Sequence, residues 1–383
     1  MEVFEYYFPT RIVCGPGCAK KVAEEIKSAA VHKPLLVTDP GIIRAGLVAG
    51  VVERLKKEQI NFALFQDVAA NPSAVVMEQG FNLFQNEGCD SLLALGGGSS
   101  IDTAKAIGIL KNNGGRIIDY EGVGKVNKRI PWMVAIPTTY GSGSEVTSFA
   151  VVTDKTRNFK AAIGSPLVIP DLALVDPELM VALPYKIAAS VGLDALCHAV
   201  ESYCSKKATP FSEMLALKAI RLISENISRA VESDSDMEAT FNMAISSTMA
   251  GMAFSLSRLG LVHAMSHPLG GFYDIPHGLA NAFLLPYVME YNVEAAPDKY
   301  ADIAQAMGIE IKNMSSSEAA ARAVERVAFL RNSFGITARL SSLGVRKEDI
   351  PQMALDTMKS GNVKVNPRKT NLNDIIQLYE KAF

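Results

Sequence analysis

Before residue 184, short apolar segments alternate with stretches of helical periodicity, and this alternation strongly constrains the fold. The predicted strands are residues 35–38, 61–65, 91–95 and 132–136. The predicted helices between them end near residue 57 and cover residues 73–86 and 100–110. Parallel strands need a long crossover connection, usually a helix, so this order predicts an α/β domain with a parallel sheet. Residues 149–153 and 159–163 flank the turn-forming residues 154–158 and predict a hairpin appended to that sheet.

From residue 184 onward, the chain has helical periodicity and almost no strand-like alternation. The predicted helices are residues 184–204, 210–226, 237–257, 261–270, 276–291, 298–307, 316–334 and 347–360. Pro184, Pro210 and Pro276 stand at predicted helix starts, where a missing N–H group is tolerated. We therefore predict two domains, an α/β domain over residues 1–183 and an all-α domain over residues 184–383.

The composition excludes several classes of protein. With 49% hydrophobic and 20% charged residues, the chain can bury a core and differs from disordered or collagen-like chains. A net charge of −2 gives no reason to expect nucleic acid or an anionic membrane as a partner. The sequence has neither the roughly 18–20 uninterrupted apolar residues of a membrane span nor a visible secretory signal. Five scattered cysteines do not predict a disulfide framework, so we expect a cytoplasmic protein.

A glycine-rich turn follows the third predicted strand. Gly96 to Ser99 (GGGS) lie directly between that strand and the next helix, where backbone N–H groups can approach a phosphate. This turn matches neither G-x-G-x-x-G nor a P-loop, and alone it is equally typical of an ordinary tight turn. A second turn, PTTYGSGS (137–144), follows the fourth strand and carries five hydroxyl groups. Because open α/β sheets bind ligands at the carboxyl ends of their strands, the two turns together favour a dinucleotide site.

Asp39 ends the first predicted strand in a similar position. A carboxylate there can accept hydrogen bonds from the ribose hydroxyls of NAD, and it repels the 2′-phosphate of NADP. In the common Rossmann fingerprint the acid follows the glycines, whereas Asp39 precedes them, so we expect a relative of that fold. Asp39 before Pro40 and Gly41 is equally typical of a turn, and both interpretations stay open here.

Four of the five histidines lie within 80 residues of one another in the predicted helical half, and the first of them follows an aspartate by four residues. Asp194 and His198 are four residues apart in one predicted helix, so they project from the same face. His263 and His267 have the same spacing in a second helix, and His277 begins a third. One carboxylate with several imidazoles suits a divalent ion such as iron or zinc. The absence of cysteines from this group favours a catalytic metal site over a structural one.

Four long segments resemble the iron-containing, or group III, alcohol dehydrogenases. They are LALGGGSSIDTAKA (93–106), PTTYGSGSEVT (137–147), GLDALCHAVESY (192–203) and LGLVHAMSHPLGGFYDIPHGLANAFLLP (259–286). The resemblance covers almost the whole chain and includes the lactaldehyde reductases and 1,3-propanediol dehydrogenases. It implies a Rossmann-related NAD-binding domain and an all-α metal-binding domain, with the active site in the cleft between them. This architecture is shared with dehydroquinate synthase.

The same resemblance implies roles for individual residues. The implied ligands of Fe²⁺, or of Zn²⁺ or another divalent metal, are Asp194, His198, His263 and His277. The implied contacts with NAD(H) are Asp39, Gly96, Gly97, Gly98, Ser99, Asp102, Thr138, Thr139, Ser142, Thr147, Val151, Lys160 and Leu179. Phe149 and Phe254 stand at substrate-pocket positions. His267 is the implied catalytic residue near the substrate, either as a proton relay or as a packing residue.

The resemblance also implies an activity, and the sequence departs from the family pattern at two positions. The activity is NAD(H)-dependent hydride transfer between a small primary alcohol or diol and its aldehyde, with the substrate oxygen at the metal. Homodimers or larger homo-oligomers are implied as well. Cys197 and Ser142 stand where threonine is common in the family, and we expect neither of them to touch a metal ligand.

Three other functions share some of these features. A glycerol dehydrogenase-like polyol oxidoreductase has the related fold but usually fewer histidine ligands. A dehydroquinate synthase-like lyase needs a basic, phosphate-binding cluster around its metal, and residues 263–277 contain no lysine or arginine. A non-catalytic metal- or nucleotide-binding protein does not need both the glycine turn and the histidine cluster.

Overall fold

The chain divides into two compact units. The computed structural model describes residues 3–157, 159–337 and 339–383. The first unit, here called the sheet unit, contains Tyr7–Leu183 and Ser233–Thr248. The second, called the helical unit, contains Pro184–Glu232, Met249–Phe383 and the N-terminal segment up to Tyr6. Residues 233–248 therefore cluster with the sheet unit, although the sequence places them in the all-α domain.

Nine strands are found among the described residues, all of them in the sheet unit. They are β1 (Arg11–Cys14), β2 (Pro34–Val37), β3 (Ala63–Phe65), β4 (Ser91–Gly96), β5 (Gly122–Val123), β6 (Met133–Pro137), β7 (Phe149–Asp154), β8 (Phe159–Gly164) and β9 (Leu172–Val175). Six of them form a parallel sheet in the order β1-β9-β6-β4-β2-β3. The predicted parallel sheet is confirmed, and β1 and β9 extend it beyond the strands predicted from sequence.

Side chains of the central strands alternate between two core layers. Leu35 and Val37 of β2 belong to one layer, and Leu36 belongs to the other. The helices of this region are α1 (Val22–Ser28), α2 (Pro40–Arg44), α3 (Leu47–Lys57), α4 (Ala74–Asn86) and α5 (Gly98–Asn113). The first layer contains apolar residues of α4 and α5, and the second contains those of α1 and α3. The sheet is therefore covered on both faces, as a parallel sheet requires.

The predicted hairpin forms, but it belongs to a different sheet. β7 and β8 pair antiparallel, and β8 also pairs with β5 in a separate three-stranded sheet. The expectation that the hairpin is appended to the parallel sheet is therefore wrong. Val152 and Ile163 explain its position, because they pack into the core layer that contains α5 instead of pairing at a sheet edge. Asn158, the last residue of the predicted turn, lies outside the described residues.

The direction of strand addition reverses between β2 and β4. β3 lies beyond β2 on one side, and β6 lies beyond β4 on the other. Open α/β sheets bind ligands at the carboxyl ends of the strands at such a reversal. Here those ends are followed by Thr38 and Asp39 after β2, and by the glycine turn that begins at Gly96 in β4.

The remaining helices make up the second half of the chain. They are α6 (Tyr185–Cys204), α7 (Pro210–Glu232), α8 (Met237–Ser257), α9 (Leu261–Tyr273), α10 (His277–Val293), α11 (Pro297–Ala306), α12 (Ser316–Ser333), α13 (Ile350–Met358), α14 (Gly361–Val365) and α15 (Leu372–Ala382). α10 packs against both α6 and α9, so the three helices that carry the predicted metal ligands are neighbours. The predicted fold class is confirmed. Among the described helices, none is long and apolar enough to cross a membrane.

A pair of glycines tests how tightly α5 packs within the sheet unit. A Cβ on Gly108 would lie 2.7 Å from Ile130 Cβ, whereas a Cβ on Gly50 in α3 would meet no atom within 4 Å. Overpacking outweighs the gain in helix propensity at Gly108, so we expect Gly108→Ala to lower the free energy of unfolding by about 1 kcal/mol. Gly50→Ala is the control and should raise it by roughly 0.5–1 kcal/mol. Denaturant titration measures both changes, and stabilisation by Gly108→Ala would contradict the close packing.

Candidate functional site

One face of α6 carries three buried polar side chains. Asp194, His198 and Glu201 lie at helical spacing, and each is at most 6% exposed. Burying ionisable groups is costly unless they are paired or hydrogen-bonded, so these three side chains need partners. The partners lie on α9 and α10.

α9 and α10 bring two further imidazoles to this face. His198 Nε2 lies 3.9 Å from Asp194 Oδ1, and His263 Nε2 lies 4.0 Å from the same oxygen. The ring of His263 stacks on that of His198 with centroids 4.6 Å apart, and the ring of His277 meets it edge-on at 5.2 Å. One potential ligand atom from each of these four residues lies within 4.8 Å of the others. The structure thus brings together the four residues that the resemblance implies as ligands.

Asn281 of α10 lies among these ligand atoms and was not identified from the sequence. Its Nδ2 is 2.7 Å from Asp194 Oδ1, 2.9 Å from His263 Nε2 and 3.1 Å from His277 Nε2. Its buried Oδ1 has no hydrogen-bond partner among the described residues. The two ends of an amide have nearly the same shape, so a turn of this group would direct Oδ1 toward the cluster. The carboxylate, the three imidazoles and this amide therefore fit a divalent ion.

The burial of His263 sets its protonation state. Burial lowers the pKa of His263 well below the ordinary value; the neighbouring His198 adds to this effect, and Asp194 opposes it. His263 is therefore neutral near pH 7. A neutral imidazole has a nitrogen lone pair available for a metal, which a protonated imidazole lacks.

Glu201 contacts the side of His263 that faces away from the other ligand atoms. Its Oε2 lies 2.6 Å from His263 Nδ1 and accepts a hydrogen bond from the N–H of Gly260 at 2.9 Å. Its Oε1 accepts from the N–H of Val262 at 2.6 Å. Burial raises the pKa of Glu201 to about 7, and these backbone N–H groups act in the opposite direction. Sequence analysis missed Glu201, although its spacing from Asp194 placed it on the same helix face.

Cys197 corrects one expectation from the sequence. Its Sγ lies 3.9 Å from His263 Nδ1, so the expectation that Cys197 touches no ligand residue is wrong. The reason is its position, because residue 197 lies between Asp194 and Glu201 on the face of α6 that meets α9. Burial raises the thiol pKa of Cys197 well above its ordinary value, so the residue is present as a neutral thiol.

Two further residues named from the resemblance border the histidine cluster. His267 lies one turn after His263 on α9, and its ring centroid is 5.7 Å from that of His277. The Phe254 ring lies 4.7 Å from that of His198, measured between centroids. Phe149, the other residue assigned to the substrate pocket, belongs to the sheet unit, where it begins β7.

In the sheet unit, the two predicted cofactor turns lie against each other. A Cβ on Gly98 would lie 2.9 Å from Ser142 Cβ, and a Cβ on Gly97 would lie 3.4 Å from Thr139 Oγ1. The helix α5 begins at Gly98 without a side-chain cap. Because the first N–H groups of a helix have no acceptor within it, this helix start can bind an anion.

Two buried hydroxyl groups follow strands of the same sheet. Thr38 comes directly after β2 and Thr138 directly after β6, and neither Oγ1 has a hydrogen-bond partner among the described residues. The backbone N–H of Thr138 donates to the carbonyl of Gly96 at 3.1 Å, which places it beside the glycine turn. Buried hydroxyls are usually hydrogen-bonded, so their lack of partners favours a polar ligand at this edge of the sheet.

Asp39 caps a helix and also lies beside the glycine turn. Its Oδ1 accepts hydrogen bonds from the N–H groups of Gly41 and Ile42 at 2.8 and 3.1 Å, which caps α2. Its Oδ2 lies 3.4 Å from Ser100 Oγ, and a Cβ on Gly96 would lie 3.4 Å from that oxygen. One carboxylate oxygen therefore stabilises the turn, and the other lies beside the glycine turn at the strand reversal.

Lys105 of α5 is a third residue that sequence analysis missed. Its side chain is fully buried, and Nζ donates hydrogen bonds to Ser144 Oγ at 3.0 Å and to Phe149 O at 2.7 Å. It also donates to the carbonyl and the hydroxyl of Thr147 at 2.9 and 3.1 Å. Lys105 therefore fixes the loop that joins the second cofactor turn to β7. The sequence gives little signal for this role, because lysine is normally an exposed residue.

Asp102, one turn before Lys105, holds the same loop by accepting hydrogen bonds. Ser144 Oγ donates to it at 2.5 Å and the N–H of Val151 at 3.0 Å. Two other residues assigned to the cofactor lie on different parts of the sheet unit. Lys160 donates to Asn71 Oδ1 at 2.7 Å, and Leu179 packs against the core layer of α1 and α3.

Comparison with known proteins decides the family. Residues 9–177 match "Iron-containing alcohol dehydrogenase", and residues 188–383 match "Fe-containing alcohol dehydrogenase family, C-terminal". The chain belongs to the iron-containing alcohol dehydrogenase family. The resemblance seen in the sequence and the implied class of activity, oxidoreduction of alcohols and aldehydes, are thereby confirmed.

Individual members of this family are similar over their whole length. The NAD-dependent methanol dehydrogenase of Bacillus methanolicus is 38% identical over 377 residues, which are 98% of this chain and 99% of that protein. The lactaldehyde reductase of Escherichia coli (strain K12) is 41% identical over 374 residues, 96% of this chain and 97% of that protein. A crystal structure of 1,3-propanediol oxidoreductase superposes with a TM-score of 0.96 and 40% identity, covering 100% of both chains.

The buried lysine leads to a prediction about pH. Burial lowers the pKa of Lys105 from 10.5 to about 8, and the facing carboxylates of Asp102 and Glu145 oppose this shift. Between these two values the unfolded chain binds more protons than the folded protein, so folding becomes more favourable as the pH rises. We expect the free energy of unfolding of the wild type to rise through this window relative to that of Lys105→Met.

Denaturant titration at several pH values measures this difference. Lys111→Met, which removes an exposed lysine from the same helix, is the matched control for loss of a lysine. A difference between wild type and Lys105→Met that stays constant from pH 8 to 10.5 would contradict the effect of burial.

Proposed function

We propose that this protein is an NAD(H)-dependent alcohol dehydrogenase and aldehyde reductase that acts on small primary alcohols, diols or their aldehydes. A divalent iron ion is held by Asp194, His198, His263 and His277. The observation that carries this proposal is the convergence of one carboxylate and three imidazoles within 4.8 Å in a chain of the iron-containing family. Zn²⁺ and other divalent ions suit the same donor set.

The residues around this centre account for the chemistry of the reaction. When bound, the metal supplies Lewis-acid chemistry and NAD(H) supplies the hydride acceptor or donor. The carboxylate of Asp194 offsets part of the charge of a cation held among three imidazoles. The buried ring of Phe254 excludes water beside His198. His267, one turn from His263, takes up and releases the alcohol proton, a role suited to an imidazole.

The cofactor binds at the strand reversal of the sheet unit. The uncapped start of α5 and the glycine turn take the pyrophosphate, and Asp39 Oδ2 accepts hydrogen bonds from the ribose. The buried hydroxyls of Thr38 and Thr138 support a polar ligand at this edge. The name of the Bacillus methanolicus relative supports NAD in particular.

The substrate is a short molecule. Phe254 is nearly fully buried beside His198 and forms an apolar wall next to the metal centre. The similar proteins described above are named for methanol, lactaldehyde and 1,3-propanediol, all of which have one to three carbons. Both observations support a compact, partly apolar pocket.

The proposal extends to assembly and location. The rings of Phe4 and Tyr6 pack against Phe211, and all three are more than 40% exposed, as is typical of a contact surface between subunits. We infer a homodimer or larger homo-oligomer.

All five cysteines are free, and four of them are buried, which supports a location in the reducing environment of the cytoplasm.

Metal-defined protein tests the proposed function directly. We expect chelator-stripped protein to be inactive and to regain turnover with Fe²⁺, followed by NADH absorbance with a panel of short alcohols, diols and aldehydes. His263→Ala should lose both the metal and turnover, because one ligand and the order of the cluster are lost. NAD binding, measured by calorimetry, should stay near that of wild type because the cofactor residues lie in the sheet unit.

His267→Ala is the matched control on the same helix. It should keep one equivalent of metal by elemental analysis, lose about 10²–10⁴-fold in turnover and show an altered pH profile. An unchanged pH profile would make His267 a packing residue. Full turnover with one equivalent of metal in His263→Ala would refute the ligand assignment.

Asp39 determines the preference for NAD(H) over NADP(H) in this proposal. A carboxylate 4 Å from a phosphate charge is repelled by about 4 kcal/mol at an effective dielectric near 20, and solvent reduces this, so we expect a preference of about one to three decades. Asp39→Asn should narrow that preference while preserving the cap of α2, since asparagine caps helices as well as aspartate. Asp39→Gly should narrow it too, with a stability loss of a few tenths of a kcal/mol.

The measurement is kcat/KM with both cofactors for all three proteins. Equal use of NADP(H) by the wild type would show that the charge of Asp39 does not face the cofactor. An unchanged ratio in Asp39→Asn would restrict Asp39 to its role as a helix cap.

A further inference from the structure

The helix that carries His263 begins without a capping side chain of its own. Gly260 precedes α9 and supplies none, although the first N–H groups of a helix need acceptors from outside it. Glu201 of α6 accepts from the N–H groups of Gly260 and Val262 at 2.9 and 2.6 Å, and Asn366 Oδ1 accepts from that of Leu261 at 3.4 Å. The start of α9 is therefore held by side chains from two distant parts of the sequence.

A capping residue in place of Gly260 would crowd the two side chains that hold the start of α9. A Cβ at this position would lie 2.9 Å from Glu201 Oε1 and 3.3 Å from Asn366 Oδ1. A serine or aspartate there, the usual caps, would displace the two side chains that now do this work. The close approach of Glu201 to the backbone is thus built into the start of α9.

The same carboxylate binds the imidazole of His263. Oε2 of Glu201 lies 2.6 Å from Nδ1 and also accepts from Gly260. Both oxygens of Glu201 already accept backbone N–H hydrogen bonds, so the short contact with Nδ1 is satisfied when Nδ1 carries the proton and donates it to Oε2. Nε2 is then left with its lone pair on the side of Asp194 and Asn281.

We propose that Glu201 is a positioning residue of the metal centre, which fixes the tautomer and orientation of His263 through the carboxylate that also caps α9. This inference rests on the proposed function, because it assigns the metal to Nε2 of His263. Partners of this kind on ligating histidines typically contribute 10–100-fold to metal affinity. Since one carboxylate holds both the helix start and the ring, the ring is aligned before the metal binds.

A second interpretation of the same contacts is a second metal site. Cys197, Glu201 and His263 also place one potential ligand atom each within 4.8 Å of the others. Both oxygens of Glu201 already accept N–H hydrogen bonds, and all three side chains are buried. These contacts favour a hydrogen-bonded network over a second ion, and metal stoichiometry separates the two.

Glu201→Gln tests the proposal, with Asn366→Ala as the matched control. Glutamine keeps the shape but replaces one accepting oxygen by a donor, so it cannot accept from Nδ1 and both backbone groups together. Asn366 helps to cap α9 without contact to the imidazole. We expect Glu201→Gln to weaken Fe²⁺ or Zn²⁺ binding, measured by chelator competition, about 10–100-fold. Asn366→Ala should lower the Tm but leave the metal Kd near that of wild type.

A measurement on the metal-free wild type tests the proposal even if a variant does not fold. We expect ¹⁵N NMR to show that His263 carries its proton on Nδ1 before any metal is added. A proton on Nε2 overturns the proposal. Equal losses of metal affinity in Glu201→Gln and Asn366→Ala would also overturn it, because they would restrict Glu201 to capping. A wild type that binds two equivalents of metal, one of which is lost in Glu201→Gln, would overturn it in favour of a second metal site.

The outcomes also distinguish this inference from the proposed function. If the wild type binds no divalent metal, the proposed function fails. The tautomer of His263 in the metal-free protein then still decides whether Glu201 orients the ring.

Discussion

The cost of burying charge without partners organises both units of this protein. Lys105 and Glu201 are buried side chains on helix interiors, and each satisfies its hydrogen-bonding groups largely with the backbone of another segment. Lys105 thereby fixes the loop before β7, and Glu201 fixes the start of α9. In each case the segment that is held also carries residues of a candidate site. Local backbone geometry and site chemistry are therefore maintained by the same contacts.

Much of the fold could be predicted because local patterns report burial. Every residue of the strands β2, β4 and β6 is buried, and their sequences are short, largely apolar runs. The i, i+4 spacing of Asp194 and His198 placed both on one helix face, and α10 places His277 beside them. These features depend on helix and strand periodicity, which is a property of the sequence itself.

The features that sequence analysis missed depend on distant partners. β1 is a short, partly exposed strand that exists because it pairs with β9, about 160 residues later in the chain. Nothing in the local sequence distinguishes Glu201 from other glutamates in helices. It becomes a cap only because the fold brings the N–H groups of Gly260 and Val262 to it. The hairpin was assigned to the wrong sheet because periodicity predicts a strand but not the layer against which it packs.

Asp39 shows how two demands can be divided within one side chain. Oδ1 stabilises the backbone of α2, whereas Oδ2 faces the glycine turn. Helix capping tolerates several small polar residues, but charge recognition tolerates few. The position can therefore exchange its charge without first acquiring compensating mutations elsewhere. With the ribose contact proposed for Asp39, a single substitution would change the coenzyme preference while the cap of α2 is kept, so the evolvability of this position is decoupled from the stability of the fold.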